Sequence, residues 1–127
     1  VHSGVNTMTY QLIKEFTFDA AHNLTNYNGK CEHLHGHTYR LQVTIRGQKN
    51  EETGMVCDFA ELKQIVTTHV IDKLDHTYLN DIVPLSTAEN LATWIAKTLE
   101  QPLRQRNLSL VRLVLWETPG SAVELLL

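Results

Sequence analysis

The stretch His35-Gly36-His37-Thr38-Tyr39-Arg40-Leu41-Gln42-Val43-Thr44-Ile45-Arg46 decides how this chain folds. Its odd positions carry His35, His37, Tyr39, Leu41, Val43 and Ile45, while Thr38, Arg40, Gln42, Thr44 and Arg46 fall between them. Successive side chains of a strand point to opposite faces, so this period of two predicts a strand with one buried face. His35 and His37 extend the buried row to one end of that strand. The segment from Tyr10 reads the same way, with Leu12, Phe16, Phe18, Ala20 and His22 on one face. His22 ends its row just as His35 begins the other. If the two strands pair antiparallel across residues 23–34, three imidazoles converge at one end of the sheet.

A single histidine on an apolar face is usually a hydrogen-bonded core residue. Three that meet would each need a separate partner, so a shared metal ion is the better reading. Three imidazoles plus an open position make a catalytic zinc site, and the nitrogen-rich set favours Zn2+ over redox metals. Ligand type alone leaves copper, nickel and iron open. The run Cys31-Glu32-His33-Leu34-His35-Gly36-His37 adds a thiol beside the imidazoles; His33 is given no metal role.

At 127 residues, with 43% hydrophobic and 20% charged residues, the chain is read as one globular domain over residues 8–127. Residues 1–7 lack periodicity and are set aside as a leader or expression remnant. A net charge of -3 without a basic stripe argues against nucleic acid as a partner. No apolar run has membrane-spanning length, so no membrane contact is expected. Two cysteines, Cys31 and Cys57, make no disulfide framework, and without a secretion signal the expected location is cytoplasmic.

Past the second strand, Cys57 reads as a small apolar side chain. Asp58 and Glu61 have capping-box spacing, and Phe59, Leu62, Val66 and Val70 recur at helical intervals, predicting a helix from about Phe59 to Leu74. His69 is read as a boundary residue of that helix. Leu74 to Asp81 follows as a polar loop closed by Pro84. Asp75 beside His76 suits proton transfer near neutral pH, although such pairs also occur in ordinary loops. Ser86-Thr87-Ala88-Glu89 is a second capping box, opening a helix with Leu91, Trp94, Ile95 and Leu99 on one face and Pro102 as its expected end. Thr87, in the first turn, can offer a hydroxyl or amide to a ligand.

A strand is predicted from Ser109 to Thr118, with Val111, Leu113, Leu115 and Glu117 in one row, then a last strand from Ala122 to Leu127. Glu117 would need a basic neighbour or a donor-rich ligand, unless it lies at a solvated strand end. The order β-β-α-α-β-β gives an α+β domain, a four-stranded antiparallel sheet with two helices on one face. Free sheet edges and the tail Leu125-Leu126-Leu127 suggest an oligomer.

Assembled in order, Phe18-Asp19-Ala20-Ala21-His22, Cys31-x3-His35-Gly36-His37, Asp58-Phe59-Ala60-Glu61-Leu62-Lys63, Leu74-Asp75-His76-x-Tyr78-Leu79-Asn80, Ser86-Thr87-Ala88-Glu89-Asn90 and Trp116-Glu117-Thr118 resemble the 6-pyruvoyltetrahydropterin and 6-carboxytetrahydropterin synthase family. The resemblance implies the tunnelling fold, with three subunits closing a barrel and two trimers stacking into a homo-hexamer. It implies zinc on His22, His35 and His37, with Cys31 as the proton-transferring thiol. Asp75 and His76 would act as a proton relay across a subunit boundary, and Glu117 would anchor the pterin.

The short Cys31-x3-His35 spacing resembles the carboxy-forming branch, linked to queuosine biosynthesis. That branch converts 7,8-dihydroneopterin triphosphate to 6-carboxytetrahydropterin with loss of acetaldehyde and triphosphate. The alternatives are formation of 6-pyruvoyltetrahydropterin or a folate precursor, and a non-catalytic zinc module with Cys31 as fourth ligand. A triphosphate substrate sits awkwardly with an acidic chain whose nearby cations are Lys30, Arg40 and Arg46.

Overall fold

The computed structural model describes residues 8–25 and 33–127. Cys31 and Lys30 lie outside the described residues. Strands β1 (Tyr10–His22) and β2 (His35–Gly47) pair antiparallel along their whole length, from Tyr10 opposite Gly47 to His22 opposite His35. Strand β4 (Ser109–Thr118) pairs antiparallel with β2, and β5 (Ser121–Leu126) antiparallel with β4.

The sheet has five strands rather than the four expected. A two-residue strand, β3 (Thr77–Tyr78), lies parallel to β1 at Ala20 and Ala21, giving the order β3-β1-β2-β4-β5. Two residues are too short to show a period, so the sequence reads there only as a polar loop.

The first helical run begins with α1 (Phe59–Val66), passes through a π turn (Thr67–Ile71) and closes with α2 (Asp72–Leu74). Asp58 caps it, its carboxylate accepting from the Ala60 N–H at 2.8 Å. Glu61 does not complete the capping box; it pairs with Arg106 and ties α1 to the far end of α3 (Ala88–Arg104). His69 lies in the π turn.

The cap of α3 is Thr87, whose Oγ1 accepts from the Asn90 N–H at 3.1 Å, one residue later than the Ser86 cap expected. Pro102 does not end the helix. It sits in the last turn, where fully buried Leu103 holds the chain helical despite the missing N–H.

One face of the sheet packs on the helices. Phe18, Ala20, Tyr39, Leu41, Val43, Ile45, Leu113 and Leu115 form one core with Leu62, Val66 and Val70 of the first run and Leu91, Ile95 and Leu99 of α3. The opposite face carries Glu15, Arg40, Gln42, Arg112 and Glu124 in a row of ion pairs and hydrogen bonds across four strands. No described helix is long and apolar enough to cross a membrane.

Leu41, on the middle strand and without exposed surface, tests where this core lies. Leu41→Ala is expected to cost about 2–5 kcal/mol, read from the midpoint of urea unfolding; an unshifted midpoint would place the core elsewhere.

Candidate metal centre

Strand register builds the centre. His22 faces His35 across the β1–β2 pair, and His37 stands two residues along on the same face as His35. The three rings meet with centroids 4.7 Å (His22–His35), 5.2 Å (His22–His37) and 4.8 Å (His35–His37) apart. Their candidate ligand nitrogens all lie within 4.8 Å of one another. Glu117, one residue past the Arg40–Trp116 pair of β2 and β4, brings Oε2 to 3.7 Å from His22 Nε2 and Oε1 to 3.9 Å from His37 Nε2. The carboxylate thus stands against the same imidazole cluster.

Tautomers follow from the backbone. His22 Nδ1 lies 2.9 Å from the Ser86 carbonyl oxygen, and His35 Nδ1 lies 2.8 Å from the His33 carbonyl oxygen. A carbonyl only accepts, so each Nδ1 carries the hydrogen and each Nε2 presents a lone pair. Those two Nε2 atoms are 3.1 Å apart. Two lone pairs at that distance repel unless a cation stands by them. Tetrahedral nitrogen ligands of zinc lie about 3.4 Å from one another, so the spacing fits a metal held by His22, His35 and His37. Donation of the far ring nitrogen to a carbonyl is also how metal-bound histidines are usually oriented.

Tyr39 walls the site from behind, stacked on Phe18 with centroids 5.0 Å apart and edge-on to His37 at 5.5 Å. Burial, and secondly the Glu117 charge, push its phenol far above the ordinary range, so it keeps its proton.

Asp75 and His76 belong to a second cluster, with Asp19, at the β1–β3 edge. His76 Nδ1 is 3.0 Å from Asp75 Oδ2, and Asp75 Oδ1 accepts from the Asp19 N–H at 2.9 Å. His76 adopts a φ of 60°, the left-handed region, and its N–H donates to the Asp19 carbonyl at 2.6 Å. The ring is 78% exposed, open to a partner. The Asp19 N–H, and then His76, hold the Asp75 carboxyl below its usual range.

Thr87 spends its Oγ1 acceptor on the helix cap and keeps a hydroxyl hydrogen to donate. Arg40 lies over Trp116 at 3.9 Å and beside Glu15, on the face away from the helices. Arg46 is nine residues along β2 from His37, about 30 Å away. Both arginines are therefore turned or placed away from the triad. Sequence reading missed the carbonyls of His33 and Ser86, because every residue has a carbonyl and its direction leaves no mark in the sequence.

A family model described as 6-pyruvoyl tetrahydropterin synthase matches residues 11–126. A 6-carboxy-5,6,7,8-tetrahydropterin synthase of Haemophilus influenzae is 36% identical over 140 residues, spanning 91% of this chain and 97% of that protein. A dihydroneopterin monophosphate aldolase of Pyrococcus furiosus is 39% identical over 118 residues, spanning 93% of this chain and 98% of that protein. Among solved structures, the 6-pyruvoyl tetrahydropterin synthase of Caenorhabditis elegans aligns with a TM-score of 0.79 at 26% identity, over 94% of this chain and 96% of that one.

Two measurements check these geometries. If the triad holds a metal, His35→Ala is expected to reduce the divalent metal retained after dialysis to a trace, by elemental analysis; retention at the parent level would reject the triad. Because the folded Asp75 pKa is depressed, its contribution to stability is present above the unfolded value and lost as pH falls through the folded one. A carbon-13 NMR titration should accordingly find its midpoint below that of a free aspartate.

Proposed function

The chain belongs to the 6-pyruvoyl tetrahydropterin synthase family and has its tunnelling fold, and we propose that it is a zinc-dependent lyase making 6-carboxy-5,6,7,8-tetrahydropterin from 7,8-dihydroneopterin triphosphate. The observation that carries this reading is the pair of imidazole lone pairs that face each other 3.1 Å apart, with a third imidazole and a carboxylate beside them. The relatives named for the carboxy product, and the short Cys31-x3-His35 spacing, favour this branch.

The parts divide the work as follows. Zinc, when bound, supplies Lewis acidity toward the hydroxyls of the substrate side chain. Glu117 offers two acceptor oxygens, matching a pterin ring N–H and its 2-amino group together. Cys31, as thiolate, takes a proton from the side-chain carbon. His76, paired with Asp75, returns a proton on the pterin ring, and its exposed ring serves a neighbouring subunit's site in a hexamer built of two trimers. Thr87 offers its hydroxyl hydrogen to the substrate. Loss of triphosphate and cleavage of the side chain with water release acetaldehyde and leave the carboxylate. With Arg40 engaged by Glu15 and Arg46 remote, the triphosphate is met by cations of another subunit or by Lys30.

The Pyrococcus furiosus relative supports a second reading, aldol cleavage of dihydroneopterin monophosphate. A retro-aldol reaction leaves the phosphate on the small fragment, so it releases no free phosphate. Incubation with each substrate, with and without chelator, separates the two. Acetaldehyde, triphosphate and a product of the 6-carboxytetrahydropterin mass are expected, all abolished by chelator and by Cys31→Ala, the latter with zinc retained. Turnover of the monophosphate alone would establish the second reading, and inert triphosphate in zinc-loaded protein would reject the first.

A further inference from the structure

Asn80, in the 3-10 turn Leu79–Asp81, uses its whole side-chain amide. Oδ1 accepts from the Asn23 N–H at 3.1 Å and from the Ser86 hydroxyl at 2.9 Å. Nδ2 donates to the Asn23 carbonyl at 2.7 Å and to the Pro84 carbonyl at 3.1 Å. Two acceptor sites and two donors exhaust what a carboxamide has.

The two residues it joins are those that hold His22. Asn23 follows His22 in the chain at the end of β1, and a bond from the Tyr78 hydroxyl fixes its side chain as well. Ser86 stands behind the ring, its carbonyl receiving the Nδ1 hydrogen at 2.9 Å and its Oγ 3.3 Å from the same nitrogen. Because Ser86 spends its hydroxyl hydrogen on Asn80, the oxygen turned toward His22 is a lone pair. Both His22 and Ser86 are only 1% exposed, so water does not replace these contacts.

We infer that Asn80 is a positioning residue for the metal centre, locking the tautomer and the aim of His22 by clamping Asn23 and Ser86 together. Leucine would lack all four bonds. Aspartate keeps the acceptors but loses both donors and adds a charge beside two carbonyl oxygens. This inference rests on His22 being a metal ligand, so the experiment includes a variant that tests that premise alone.

The full chain is stripped of metal, and zinc affinity is read by competition with a chromophoric chelator, together with urea stability and the NMR signal of the His22 Nδ1 hydrogen. Asn80→Ala and Asn80→Asp are each expected to weaken zinc binding by about 10- to 100-fold, the usual effect of removing support behind a ligand. The Nδ1 hydrogen signal should broaden or vanish in both. Leu41→Ala, destabilised in the core away from these bonds, should keep wild-type affinity and an intact signal. If Asn80→Ala does not fold, Asn80→Asp, of the same shape, carries the test. Folded Asn80 variants that bind zinc as tightly as the parent would overturn the inference. His22→Ala binding zinc like the parent would instead overturn the metal reading on which it stands.

Discussion

Every feature of the candidate site depends on the register between β1 and β2. The pairing brings His22 opposite His35 because twelve earlier pairs, beginning with Tyr10 opposite Gly47, are in step. A slip of one residue would turn one row of side chains to the other face. The apolar rows resist that slip, since it would carry Phe18 and Ala20, or Tyr39, Leu41, Val43 and Ile45, out of the core. Phe18 and Tyr39 are themselves cross-strand partners, stacked with planes 9° apart, immediately next to the imidazoles. Hydrophobic packing that serves stability thus also sets the geometry of the candidate metal ligands.

Convergence alone would leave polar rings at the rim of an apolar core, and the surrounding backbone answers that cost. The His33 and Ser86 carbonyls take the Nδ1 hydrogens, which turns the Nε2 lone pairs inward. Ser86 can do this because the cap of α3 falls on Thr87, leaving Ser86 outside the helix with its own hydroxyl available to Asn80. A helix start, a turn and a strand end therefore share one hydrogen-bond network. The His22–Ser86 bond, between residues only 1% exposed, is worth more there than it would be in water.

The segment from Asp75 to Asn80 links the candidate Asp75–His76 pair to the bracing behind His22. At one end, Asp75 and His76 are pinned to the Asp19 backbone; at the other, Asn80 grips Asn23 and Ser86. The left-handed backbone of His76, uncommon for a residue with a side chain, is held by these anchors, and its ring stands exposed. On the far face of the sheet, the positive charges of Arg40 and Arg112 are matched by Glu15 and Glu124, so that face holds no surplus of basic charge in this row.

The sequence by itself determined the alternation of β1, β2 and β4, and with it the placement of His22, His35, His37 and Glu117 at strand ends on the core face. Period-two burial is a local pattern, and strand pairing follows from the faces it defines. The Asp58 cap and the helix through Leu74 were legible for the same local reason. Tertiary structure alone decided that Thr87 rather than Ser86 caps α3, that buried Leu103 carries the helix past Pro102, and that Thr77 and Tyr78 join the sheet. It alone chose the carbonyls behind His22 and His35 and the amide of Asn80 that braces one of them. Those are contacts between residues distant in the chain, made through groups that every residue has or through one side chain whose partners are backbone atoms, and only the folded arrangement gives them a direction.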